Sequence, residues 1–275
     1  MLIEKSRKSV KLFQLIFFTI LLLLIEKSFA ADIILHQNPQ IYALNKLVTH
    51  NIVFLGTRHR QPPNLKFIAD LIPKLHNSGV THIGLEIESD QQSKVDQFAQ
   101  TGNKLSTINI HPQIDCIEFR NLFNVLKSLS PDKRSTLVAL DLPKSKYQEN
   151  ISRGEWMAKT IAKIFKQNPN AKMIVVVGNN HVLKKLEWQD HVPNPHRSMR
   201  EYLLESNPDL RLFSIGQIIG DTVYECDFRE AFGGLEGAVA IDLDQRFAGW
   251  KMGIAESVAI QPAELWELLD GLIVY

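Results

Sequence analysis

From Asn51 onward, short apolar runs alternate with stretches in which apolar residues recur at helical spacing. Residues 51–55 (Asn-Ile-Val-Phe-Leu) are a run closed by Gly56, and Leu65, Ile68, Leu71, Ile72 and Leu75 then mark one face of a helix over 65–75. Residues 81–85 form a second strand closed by Glu86, and 90–98 a polar helix. Phe119, Leu122, Phe123, Leu126 and Leu129 predict a buried helix face over 117–129, followed by a strand at 135–140 that ends at Asp141. Trp156, Met157, Ile161, Ile164 and Phe165 predict a helix over 152–165 with Ser152 as its cap. A fourth strand spans 172–177. The last hundred residues are less regular, with helices expected at 199–205 and 262–269 and strands at 210–215, 238–243 and 272–275.

Strands separated by helices imply βαβ units. The expected fold is therefore α/β, a mostly parallel central sheet with helices on both faces. No repeat, low-complexity tract or Pro/Gly-rich linker interrupts residues 32–275, which read as a single domain.

Residues 1–30 break the pattern. Lys5, Arg7, Lys8 and Lys11 precede the apolar stretch 12–25, and Ser28-Phe29-Ala30 resembles a small-x-small cleavage site, so this segment reads as a secretory signal peptide. The stretch is shorter than the ~20 residues of a membrane-spanning helix. An exported protein, periplasmic or secreted, without a stable membrane span after cleavage is the expectation. The chain has 275 residues and 45% hydrophobic content, enough for one sizeable core. Its formal charge of +1 becomes −2 once the five Lys/Arg and two Asp/Glu of residues 1–30 are removed. With no basic block, nucleic acid is not an expected partner. The sequence leaves the oligomeric state open. Its two cysteines, Cys116 and Cys226, are either a pair or two separate thiols.

In open α/β sheets, ligands bind beyond the carboxyl ends of the strands. There the sequence places Gly56-Thr57-Arg58-His59, Glu86-Ile87-Glu88, Asp141 and Asn179-Asn180-His181. Two imidazoles and several carboxylates on one rim suit two hydrolytic chemistries. They could hold a divalent metal whose bound water attacks. Alternatively, a histidine acts as general base on water, a carboxylate orients it, and Arg58 or Arg153 stabilises developing negative charge. The sequence contains no G-x-S-x-G, H-E-x-x-H, P-loop or G-x-G-x-x-G motif.

The motifs FLGTRH (54–59), HIGLEIE (82–88), SRGEWMAKTI (152–161), MIVVVGNNHVLK (173–184) and LDGLIVY (269–275) resemble, in order, those of the superfamily that joins erythromycin esterases, ChaN-type haem-uptake proteins and the Tiki/TraB/GumN group. The first motif carries Thr57 where the esterases keep a glutamate, which is nearer the Tiki/TraB form. SRGEWMA is closer to the esterase and ChaN pattern. The resemblance implies His59 and His181 as the principal catalytic or metal-binding residues, with Glu86 supporting and Arg153 and Glu155 as helix-borne partners. Thr57, Glu88, Asp141 and Asn180 are candidate substrate contacts. It leaves three roles open: an exported hydrolase of an ester or peptide-like substrate, a haem carrier of the ChaN kind, and an inactive interaction module. A haem carrier needs an axial Tyr or His, for which Tyr147, Tyr224, His191 and His196 are available. His191 and His196 also lie in a proline-bearing loop that reads as a surface connection or a cover for the crevice. Asp242 and Asp244 share one face of a strand, as a metal site or an ordinary solvent-facing pair.

Overall fold

The computed structural model describes residues 33–102, 105–186, 197–219, 237–252, 261 and 263–275. The predicted signal peptide, the loop carrying His191 and His196, and Tyr224 and Cys226 lie outside these residues.

Strand β1 (Ile52–Thr57) is buried throughout and is followed by α2 (Pro62–Leu75), which starts on two prolines suited to the first helical turn. Before β1 lies α1 (Pro39–Thr49), a helix the apolar pattern did not announce, capped by the Asn38 side chain accepting from the Ile41 N–H. Then follow β2 (His82–Glu88), α3 (Gln92–Thr101), α4 (Ile117–Ser128), β3 (Thr136–Asp141), α5 (Arg153–Gln167) and β4 (Met173–Gly178). The C-terminal part adds α6 (Met199–Ser206), β5 (Leu212–Ile218), β6 (Val239–Asp242), α7 (Leu265–Leu268) and β7 (Gly271–Val274). The helix expected over 262–269 is shorter because Ala263–Glu264 pairs as a strand with Lys251–Met252.

Seven strands of an eight-stranded sheet run in the spatial order β6-β7-β5-β1-β4-β2-β3; the eighth, Leu35–His36, is two residues long. Every pairing among the seven is parallel except β6 with β7. The mostly parallel sheet expected from sequence is therefore present, and its parallel strands direct their carboxyl ends to one rim.

Both faces are covered. Val53, Leu55, Ile83, Leu85, Ile87, Ile174 and Val176 enter one apolar cluster with α1 to α4, which contribute Tyr42, Leu71, Phe98, Phe119 and Phe123. Each such side chain contributes roughly 1.5–3 kcal/mol relative to exposure. The alternate residues Ile52, Phe54, Met173 and Val175 are equally buried and point to the opposite face, as the period of two requires. There α5 buries Met157, Ala158, Ile161 and Phe165, and α5 packs against both α6 and β3. Between Leu85 and Glu88, β2 carries one residue more than β3, so Glu88 lies level with Asp141. Such a bulge is common beside functional sites.

Candidate functional site

The adjacent strands β1, β4, β2 and β3 end side by side, which brings four separate sequence motifs together. At the centre lies Glu86, 3% exposed near the end of β2. Its Oε2 accepts the Gly178 N–H at 2.7 Å across the β2–β4 seam, and its Oε1 accepts Arg153 Nη2 at 2.5 Å. His181 Nε2 lies 3.6 Å from the same Oε1. The His59 ring covers Gly178: a Cβ placed on that glycine would stand 2.9 Å from His59 Cε1, 3.1 Å from Nε2 and 3.5 Å from Glu86 Oε2. The buried carboxylate thus has His181 and Arg153 at one oxygen, and His59 over the glycine that bonds the other.

Local structure explains each placement. The chain leaves β1 through a turn closed by Gln61 N–H donating to Arg58 C=O, with Arg60 at φ 59°. That left-handed conformation costs a non-glycine residue roughly 1–2 kcal/mol and fixes the exit direction of His59. His181 sits in a 3₁₀ turn directly after β4. Arg153 opens α5, whose N-cap Ser152 accepts the Glu155 N–H at 3.0 Å.

Asp141, at the end of β3, holds Arg153 as a two-pronged partner: Nε donates to Oδ1 at 2.8 Å and Nη2 to Oδ2 at 2.7 Å. The Leu142 N–H completes Asp141 Oδ1. Nε and Nη2 are therefore committed, while Nη1 has no hydrogen-bond partner among the described residues. This pair of carboxylates makes the arginine a rigid donor rather than a mobile surface charge.

Burial alone would raise the Glu86 carboxyl, but His181, Arg153, His59 and the Gly178 N–H together hold it below the usual carboxylate range. Burial depresses His181, and Glu86 offsets this only in part, so the imidazole lies below its ordinary value. Burial also opposes the Arg153 charge; Asp141 and Glu86 outweigh it and hold the guanidinium above its ordinary range. At neutral pH the site is therefore an ionised Glu86, a charged Arg153 and a neutral His181.

Of the residues selected from sequence, His59, Glu86, His181, Arg153 and Asp141 come together. Asp141 acts on Arg153, a different role from the substrate contact expected for it. Glu155 does not join them: its carboxylate takes Lys159 Nζ one turn along α5 at 2.7 Å, because the helix carries residue 155 to another face from residue 153. Glu88 turns to Lys144, accepting its N–H at 3.3 Å, and Thr57 Oγ1 is spent on Val177 C=O. Arg58 offers its backbone N–H to Asn64. Asn180 is exposed at the rim and lines the cavity beside His181 and Arg153.

The divalent-metal set His59, Glu86 and His181 does not fit this geometry. Both Glu86 oxygens already accept donors, and the Arg153 guanidinium supplies positive charge where a cation would bind. Among the described residues, no group of three or more His, Cys, Asp or Glu is arranged to hold an ion. Asp242 and Asp244 are likewise engaged, the first by Tyr42 and Lys46 and the second by Arg246.

Sequence reasoning missed two components. Gly178 supplies both the N–H to Glu86 and the space for His59; its signal was a glycine between an apolar strand and Asn-Asn-His. Beneath the rim, Gln217 donates to Gly56 C=O at 2.7 Å and accepts from Tyr275 Oη at 2.5 Å, and Asn179 pairs with the Gln217 backbone. Gln217 is fully buried, and a single glutamine inside an apolar strand is the kind of buried polar residue that signals a network. Gly178→Ala is expected to displace the His59 ring, whose exposed position lets it swing away. Reaction or binding at this site should weaken while the melting temperature stays within about 2 °C of wild type, read by paired activity or binding and thermal-unfolding measurements.

A cavity of about 450 Å³ opens beside His181 and Arg153. Its wall includes Leu142, Tyr147, Ile151, Leu186 and Met199.

No family model matches the sequence, and no curated protein matches it. Solved structures match in fold. An erythromycin esterase EreC mutant in its open conformation aligns with a TM-score of 0.62 at 10% identity, covering 85% of this chain and 92% of that one. A Bacillus cereus protein aligns at 0.58 and 15% identity, covering 91% and 96%. A succinoglycan biosynthesis protein aligns at 0.58 and 13%, covering 84% and 88%. The chain thus has the fold that its motif resemblance implied.

Proposed function

We propose that a protein of this esterase-like fold is a hydrolase that attacks an ester with water activated by the His59–Glu86–His181 cluster. The observation that carries this reading is the buried Glu86 carboxylate between two imidazoles and a clamped arginine, next to an open cavity. His181, neutral and in the cavity wall, takes a proton as the water oxygen bonds to the carbonyl carbon. Glu86 stabilises the imidazolium that forms. The carbonyl oxygen gains negative charge and receives Arg153 Nη1, whose position is fixed before reaction by Asp141 and Glu86. Collapse breaks the bond to the alkoxide, which leaves as the alcohol with a proton delivered from the imidazole pair, while the acyl part leaves as the acid. An ester suits this set better than a peptide. An alkoxide departs more readily than an amine, so cleavage of an ester asks less of the proton donor.

Hydrolysis of p-nitrophenyl acetate by the purified protein tests the reading. His59→Ala and His181→Ala should each lower kcat/KM by roughly 10²-fold or more with folding unchanged, and a chelator should leave wild-type rates unaltered. Full activity in both variants would sink the proposal.

A second reading, a haem carrier, is favoured by Tyr147. Its phenol lies in the wall of an apolar cavity and has no hydrogen-bond partner among the described residues, which suits an axial ligand. Haem would supply ligand or iron binding there and requires no hydrolytic chemistry. A Soret band in the purified protein, lost in Tyr147→Ala, would establish it; neither rate nor band would leave an interaction module.

A further inference from the structure

The cavity beside the site is walled mainly by hydrocarbon, and its position relative to the cluster distinguishes the two halves of an ester. Resting on the hydrolase reading, we propose that the cavity holds the acyl half of the substrate, and that this half is apolar, a medium-length alkyl chain or an aryl ring.

Three observations carry this. Leu142, Tyr147, Ile151, Leu186 and Met199 line the cavity beside the uncharged Ser152, Asn180 and Ser198, and among the described residues no acidic side chain does. At about 450 Å³ it falls in the range that encloses small ligands. Tyr147 is one of five exposed large hydrophobic residues among those described, 51% exposed, and its ring faces this space rather than the core. An aromatic side chain kept at a cavity wall, its hydroxyl without a hydrogen bond among the described residues, is a surface for an apolar ligand.

The orientation follows from the site. His181 and Arg153 belong to the cavity wall, whereas His59 lies outside it, on Gly178. The carbonyl oxygen must meet Arg153, so the carbon chain attached to that carbonyl extends along the apolar wall. The departing alcohol leaves toward His59 and solvent. After cleavage the new carboxylate remains beside the guanidinium, while Arg197, the other cationic side chain of the wall, is already bonded to Glu205. The cavity therefore selects for hydrocarbon and only its Arg153 edge for charge.

The test compares p-nitrophenyl acetate, octanoate and benzoate on the full chain, together with binding of octanoate itself by calorimetry. The expected kcat/KM for octanoate and benzoate exceeds that for acetate by roughly tenfold or more. Tyr147→Ala, a surface change that leaves the core intact, should narrow that ratio and weaken octanoate binding. A polar substitution on the same wall, Ile151→Asp, should do so more strongly. Equal rates along the series, or octanoate binding unaltered by Tyr147→Ala and Ile151→Asp, would overturn the acyl-site inference and leave the hydrolase reading standing. Octanoate bound at the Tyr147 wall with no ester hydrolysed would overturn the hydrolase reading and uphold the cavity's ligand class.

Discussion

Arg153→Ala should remove most of the ester hydrolysis and destabilise the fold at the same time. Glu86 and Asp141, 3% and 4% exposed, would each lose their cationic partner and remain as two unpaired carboxylates around one small volume. Breaking a buried pair in this way costs about 3 kcal/mol, the low end of the usual range, because the arginine side chain is 40% exposed and water can enter its place. For a chain of this size that corresponds to a fall of roughly 6 to 12 °C in Tm. The rate loss is separate in origin. On the proposed mechanism Nη1 is the donor to the developing oxyanion, and removal of one such donor lowers kcat by roughly 10²–10³-fold. Arg153→Lys separates the two effects. Lysine restores a charge between the carboxylates and should recover part of the stability, but it lacks the planar fork that Asp141 grips, so activity should stay low. Near-wild-type rates in Arg153→Ala would show that the guanidinium is structural and that the oxyanion is held elsewhere.

The two effects meet in one residue because the site is also a structural joint between β2, β3 and α5, and this bears on how much could be read from the sequence. The rim itself was legible. Apolar runs of strand length ending in Gly56, Glu86, Asp141 and Gly178 are a period and a stop signal, and parallel order alone sends those ends to one side. What the sequence could not supply was which strands are neighbours. Glu86 bonds to the Gly178 N–H because β4 inserts between β1 and β2, an ordering set by crossovers rather than by any residue pattern. Arg153 and Glu155 show the same limit at finer scale. Both open α5 and both carry charge, yet a rotation of two residues sends one to Asp141 and Glu86 and the other to Lys159. Among the described residues the expected metal set is not assembled, for a related reason. Imidazoles and carboxylates are the right ligand types, but the arginine that occupies Glu86 comes from an element some seventy residues away in sequence, and the packing of α5 on β3 seats it there. Helix α1 escaped because its apolar positions Tyr42, Ala43 and Leu47 are few, and Ile41 and Val48 are exposed on it.

The pH dependence of the reaction should place the base. On the proposed mechanism activity requires neutral His181, so the rate should be flat near neutrality and fall as the pH drops through a value below the ordinary imidazole value of 6.5, since burial depresses this group. Glu86 opposes that depression, because an ionised carboxylate 3.6 Å from Nε2 favours the protonated ring. Glu86→Gln keeps the shape and removes the charge, so the acidic limb should move to still lower pH while kcat falls roughly 10²-fold or more for want of a counter-charge to the imidazolium. The two shifts have opposite practical signs, a wider active range and a lower plateau, and no loss of folding alone produces both. Stability should follow the same groups. Between the folded value of His181 and 6.5 the unfolded chain binds more protons than the folded one, so stability rises with pH across that window and is lost as the pH falls through the folded value. Glu86 repeats the pattern lower down: its contribution is present above 4.5 and disappears as the pH falls through its depressed folded value. A rate limb above 6.5, or one that Glu86→Gln leaves in place, would remove His181 from the role of base.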